Sequence, residues 1–125
     1  MVTPNLANVL RDKSYRFALR MVNLYKFLSK EQKEFVLSKQ ALRSGTSIGA
    51  NVVEANQAQL KADFVHKLSI SLKGSFETQY WLELLRDGEY LTEVQAESLL
   101  SDCRELQKLL TASIKTAKSS LLRKH

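Results

Sequence analysis

Pro4 is the only proline in the chain, and it stands ahead of the first periodic segment. The four glycines, Gly45, Gly49, Gly74 and Gly88, are each isolated. A β-sheet protein of 125 residues needs many tight turns, and those turns draw on Gly and Pro for backbone angles that other residues resist. Leu, Lys, Ala, Glu, Gln and Ser dominate here instead. The chain is therefore expected to be all-α.

The first helical segment is expected at about 5–29. Leu10, Phe17, Met21, Leu24 and Leu28 recur at spacings of three, four and seven, with Ser14 at the skipped position. That is one apolar stripe on one helix face, and Asn5 is placed to cap its start. The second segment is expected at about 32–59, with Phe35, Leu42, Ile48, Val52 and Ala55 toward the core. Its middle, Arg43 to Asn51, is poor in helix formers, yet Ser47, Asn51 and Glu54 keep helical spacing and share a face. One long helix is expected to cross it. Gly45 and Gly49, four apart, would let a neighbouring helix come close, with a kink as a further option.

The third segment is expected at about 61–87. Phe64, Leu68, Leu72, Ser75, Gln79 and Leu82 form a heptad-like line, widened by Val65, Ile70, Phe76, Tyr80, Trp81, Leu84 and Leu85. A helix apolar on more than one side calls for more than one neighbour. Gly88 is the expected left-handed stop. The fourth segment is expected at about 92–120, opened by Thr92 and Gln95 at capping-box spacing. Val94, Leu99, Cys103, Leu106, Leu110 and Ile114 mark its core face. Four such segments with short connections make an antiparallel up-down-up-down bundle, expected to be a single domain over 1–125.

Composition excludes more chemistry than it suggests. One cysteine rules out an intramolecular disulfide and a multi-thiolate metal site, and Cys103 reads as a small core residue. There is no apolar run of membrane-spanning length. Residues 1–10 lack the basic start and hydrophobic stretch of a signal peptide, so a cytoplasmic location is expected. His66 and His125 are the only histidines, and Asp63 with His66 gives two metal ligands at most. Neither a Glu-x-x-His pair nor a phosphate-loop pattern occurs. Ser69, Ser71 and Ser75 around Lys73 are not separable from helix surface polarity. No enzyme activity and no cofactor are expected. Glu54 and Glu77 adjoin apolar faces and are expected as internal or interfacial groups, hydrogen-bonded to Asn51, Ser47 or Tyr80.

Charge is the remaining functional signal. The formal net charge is +6. Residues 1–62 hold ten Lys+Arg against four Asp+Glu, whereas residues 63–125 hold nine of each. After the last acid, Glu105, come Lys108, Lys115, Lys118, Arg123 and Lys124. Lysines near a helix C-terminus suit the helix dipole, and they also suit phosphate. With Lys13, Arg16, Arg20, Lys26 and Arg43 they are the candidate nucleic-acid contacts. No base-reading motif accompanies them, so any binding is expected to be non-specific. The alternative is a protein-binding or structural scaffold, with Ser47, Asn51, Glu54, Glu77, Tyr80 and Trp81 holding bundle or subunit geometry.

The stretch Arg43-Ser-Gly-Thr-Ser-Ile-Gly-Ala-Asn-Val-Val-Glu54-Ala, then Asp63-Phe64, then Ser75-Phe-Glu77-Thr-Gln-Tyr-Trp-Leu82, resembles the bacterial four helix bundle protein family, also called the 23S rRNA intervening-sequence protein family. Ala55 replaces the usual Gly of that pattern, and Gly49 stands where Pro is frequent. The resemblance implies a four-helix bundle assembled as a homo-oligomeric ring, a pentamer, with no defined biochemical role. It also implies kinship in fold with the accessory variability protein of diversity-generating retroelements, a basic pentamer that binds nucleic acid and a reverse transcriptase. RNA or DNA, and a protein such as a reverse transcriptase, are the partners this suggests.

Overall fold

The computed structural model describes residues 5–123, which form four helices and no strand. They are α1 (Leu6–Lys30), α2 (Leu37–Asn56), α3 (Lys61–Asp87) and α4 (Glu93–Arg123). Each helix packs on its neighbour in sequence, and α1 closes the square against α4. The result is the up-down-up-down bundle expected from the four periodic segments. No helix among the described residues is long and apolar enough to cross a membrane.

α1 follows its stripe closely. Leu10, Ser14, Phe17, Met21, Leu24 and Leu28 are its buried residues. Asn5 Oδ1 accepts the Asn8 amide at 2.8 Å, the expected cap.

α2 begins five residues later than its periodicity suggests. Lys33 takes a left-handed conformation (φ 54°), which interrupts any helix starting at 32. Glu34 then turns its carboxylate onto the first turn of α2. It accepts the amides of Val36, Leu37 and Ser38 at 3.1, 2.9 and 2.7 Å. A glutamate thus satisfies amide donors that the helix start leaves without intrahelical partners. Phe35, expected in the core, falls in this connection and is half exposed.

Across Arg43 to Asn51 the helix is continuous, as expected. Its hydroxyls return to carbonyls one turn back: Thr46 donates to Leu42 at 2.7 Å and Ser47 to Ser44 at 2.8 Å. The glycines face α1. A Cβ at Gly45 would stand 2.6 Å from Met21 Cγ, and one at Gly49 would stand 3.3 Å from the Ser14 carbonyl oxygen. Close approach of α1 and α2 depends on the missing side chain at Gly45.

α3 is buried along Leu68, Ser71, Gly74, Ser75, Thr78, Leu82 and Leu85. The heptad-like line is rotated toward small hydroxyl residues, so that Phe64, Leu72 and Gln79 are only half-buried and Ile70, Phe76 and Tyr80 point outward. Gly88 does not adopt the left-handed angle expected of it: its φ is −81°, and Glu89 takes the positive value, 66°. Glycine is used there for space, since a Cβ at Gly88 would lie 2.9 Å from the Leu84 carbonyl oxygen.

Thr92 and Gln95 form the expected reciprocal cap of α4, at 3.0 and 3.1 Å. The α4 core face runs through Ala96, Leu99, Leu100, Cys103, Leu106, Leu110 and Ile114. Val94, expected on that face, is 82% exposed. It stands two residues before Ala96, which on a helix is the opposite side.

Candidate nucleic-acid interface

The structure separates the candidate cations into two groups. Three on α1 have acidic partners. Lys13 Nζ lies 3.1 Å from Glu105 of α4, and Arg16 lies 3.2 Å from Asp12 on its own helix. Arg20 spans α1 and α4, donating to Asp102 at 2.7 Å, to the Ser98 carbonyl at 3.2 Å and to Ser98 Oγ at 2.9 Å. Two of these pairs tie the α1–α4 seam together from outside.

The second group has no ion pair among the described residues: Lys26, Arg43, Lys108, Lys115 and Lys118, all exposed. Lys26 is on α1 and Arg43 on α2. α2 and α4 sit at opposite corners of the square without contact, so Arg43 does not join the α4 lysines on one protomer face. Lys108, Lys115 and Lys118 span about 15 Å of α4 at ~1.5 Å per residue. No acid occurs from Leu106 to Leu122. Arg123 ends α4 without a described side chain, and Lys124 lies outside the described residues.

Of the two placements expected for Glu54 and Glu77, internal or interfacial, the structure removes the internal one: both are exposed. Glu54 pairs with Lys67 at 3.6 Å, and Asn51 donates to the Ser47 carbonyl at 2.9 Å. Both glutamates sit on outer helix faces, where water solvates a carboxylate and no burial forces a partner on it. Trp81 packs against the core, with Tyr80 edge-on to it at a centroid distance of 5.1 Å, and Tyr80 itself is 55% exposed.

The buried polar network lies elsewhere, in residues that resemble surface polarity in the sequence. Thr78 Oγ1 hydrogen-bonds with Ser44 Oγ at 2.9 Å and donates to the Gly74 carbonyl at 2.8 Å. Ser71 donates to the Ile48 carbonyl at 2.8 Å, joining α3 to α2. Gln107 donates to Gln79 Oε1 at 2.8 Å, joining α4 to α3. No buried side-chain polar atom among the described residues lacks a partner. The one signal available was the spacing of Ser71, Ser75 and Thr78 at four and three, which puts all three on one face.

These groups are poorly placed for covalent chemistry. Ser71 and Ser75 are buried, whereas Lys73 is exposed on the other side of α3. Ser69 shares the exposed face with Lys73, and its hydroxyl donates to the Val65 carbonyl at 2.8 Å. The Cys103 thiol is buried and donates to the Ser75 carbonyl at 3.1 Å. Burial pushes its pKa up to about 12, which removes the thiolate at neutral pH. Asp63 and His66 are both exposed, and the described residues contain no group of three or more His, Cys, Asp or Glu side chains able to hold a metal ion.

The comparisons with known proteins agree with this architecture. No curated protein matches the chain. A crystal structure of a protein of unknown function from the S23 ribosomal protein family of Bacteroides thetaiotaomicron VPI-5482 is similar to it, with 61% identity and a TM-score of 0.88. That match covers 89% of this chain and 99% of the other. The family model described as 23S rRNA-intervening sequence protein matches residues 8–112. The chain belongs to the 23S rRNA-intervening sequence protein family.

Proposed function

We propose that this bundle is a non-catalytic protein that associates with nucleic acid through the phosphate backbone, without reading sequence. The observation that carries the reading is the C-terminal half of α4, where Lys108, Lys115 and Lys118 are exposed, free of ion pairs among the described residues, and followed or preceded by no acid from Leu106 to Leu122. Each phosphate neutralised by such a cation releases counterions and adds salt-sensitive affinity. Lys26 and Arg43 add unpaired charge on other faces. The test is anisotropy with labelled RNA and DNA of mixed sequence at about 50 mM salt. Binding lost in Lys108→Glu/Lys115→Glu/Lys118→Glu supports the reading, and absence of binding by the unmodified protein overturns it.

Self-association is a second part of the proposal. Tyr15, Leu19 and Val53 are 64, 48 and 51% exposed on α1 and α2. A groove of about 430 Å³ between these helices is floored by Ala18, Gly49 and Ala50. Apolar side chains beside a shallow groove suit contact with a second copy. In a ring, such as the pentamer the family resemblance implies, every protomer repeats the α4 lysines and the fields add. Light scattering tests this part: a monomer mass at micromolar concentration removes it.

A further inference from the structure

We propose that the outer groove between α3 and α4 takes single-stranded nucleic acid, with bases on its apolar floor and phosphates on its lysine edges. This rests on the phosphate-binding reading above and names the strand class.

The groove measures about 310 Å³ and is lined by Leu72 of α3 and by Ile114, Lys115, Lys118 and Leu122 of α4. Leu122 is 76% exposed. One turn along α3 from Leu72 stands Phe76, 55% exposed, with Lys73 exposed beside it. The antiparallel register is set by Cys103 donating to the Ser75 carbonyl and Gln107 donating to Gln79. The two contacts bracket the register and bring Lys108 to within about one helical turn of the height of Phe76. Apolar side chains therefore run along the middle of this face, with Lys73 on the α3 side and Lys108, Lys115 and Lys118 on the α4 side. Of the four acids of α3, Glu77, Glu83 and Asp87 lie beyond Phe76 toward the end of the helix and Asp63 lies in its first turn. α3 therefore carries no acid from Phe64 to Phe76, and the path favoured for a polyanion runs from Phe76 toward the C-terminal end of α4.

An unpaired strand offers free base faces to an aromatic ring and to an apolar floor, together with phosphates at the edges. A duplex keeps its bases stacked inside and meets only the lysines. A second copy of the chain, itself carrying +6, would bring net like charge to these lysines and leave them uncompensated.

The experiment compares a labelled oligothymidine strand with a mixed-sequence duplex of equal length, by anisotropy at about 50 mM salt. Phe76→Ala is expected to weaken strand binding about five-fold or more, with duplex binding and melting temperature unchanged. Phe76→Trp is expected to restore strand binding. A silent Phe76→Ala, or equal loss on strand and duplex, overturns the inference while phosphate binding stands. A changed particle mass in Phe76→Ala overturns it by making this face a contact between copies. Absence of binding to either probe by the unmodified protein removes the phosphate-binding reading and the inference with it.

Discussion

Arg20 of α1 holds Asp102 of α4 at 2.7 Å while its other contacts engage the carbonyl and hydroxyl of Ser98. A cation that stands out in the sequence as part of a basic strip is thereby committed to a helix–helix seam. The pair is partly exposed, with side chains 39 and 46% accessible, so solvent screens it and its contribution is about 1 kcal/mol or less. Arg20→Ala is expected to lower the urea midpoint slightly, and to reduce nucleic-acid affinity far less than Lys108→Ala. Parallel denaturation and anisotropy on the two variants check this, and equal affinity losses would count against the division of the cations.

The Thr78–Ser44 contact gives a second expectation. Both side chains are buried, and the hydroxyl pair joins α3 to α2 at 2.9 Å. Thr78→Val keeps the shape and removes the hydroxyl, leaving the Ser44 oxygen and the Gly74 carbonyl with one partner fewer each. Both keep another partner, Ser44 the Ala41 carbonyl at 3.3 Å, so a loss of about 0.5–1.5 kcal/mol is expected for the missing hydrogen bonds, measured as a lower urea midpoint at unchanged m-value. A variant as stable as the parent would contradict the role assigned to this network.

Glu34 carries a pH dependence. Burial of its carboxyl acts to raise the pKa, but the amides of Leu37, Ser38 and Val36 together with the Ser38 side chain outweigh it, and the net direction is below the ordinary value of 4.5. A carboxyl with a lowered folded-state pKa stabilises the fold above its unfolded value, and that contribution is lost as pH falls through the folded one. Thermal stability is therefore expected to decline as pH drops below 4.5. Glu34→Gln should be less stable near neutrality and show a smaller acid-induced decline over that window. Identical pH profiles would exclude Glu34 as the source.

Cys103 is expected to resist alkylation in the native protein. With its pKa pushed to about 12 and its sulfur buried, iodoacetamide at mildly alkaline pH should modify it only at the rate of unfolding. Mass spectrometry over time in graded urea checks this, and rapid labelling without denaturant would contradict the placement.

How much of this was legible in the sequence follows from the scale of each signal. The α1 stripe, the Thr92–Gln95 cap and the unbroken course of α2 through Gly45 and Gly49 are local patterns, and local patterns survive into the fold. The late start of α2 was hidden because its cap is a glutamate, Glu34, preceded by a left-handed lysine. The face of α3 was misjudged because Ser71 and Thr78 count as polar in any periodicity, although Ser75 stood on the expected line. Their hydroxyls are satisfied by helix carbonyls and by one another, and so they can be buried. Which lysines remain available to a polyanion was not legible at all. Lys13 and Arg20 find their acids 92 and 82 residues away, and only the packing of α1 on α4 brings them together.

The most direct measurement is the slope of log affinity against log salt for a duplex probe. It is compared between the unmodified protein and Lys108→Ala/Lys115→Ala/Lys118→Ala. If the α4 lysines meet phosphates, affinity falls steeply with salt, and the triple variant loses about 2 to 3 from the magnitude of the slope. An unchanged slope in the triple variant, or affinity indifferent to salt, would contradict phosphate contact by α4.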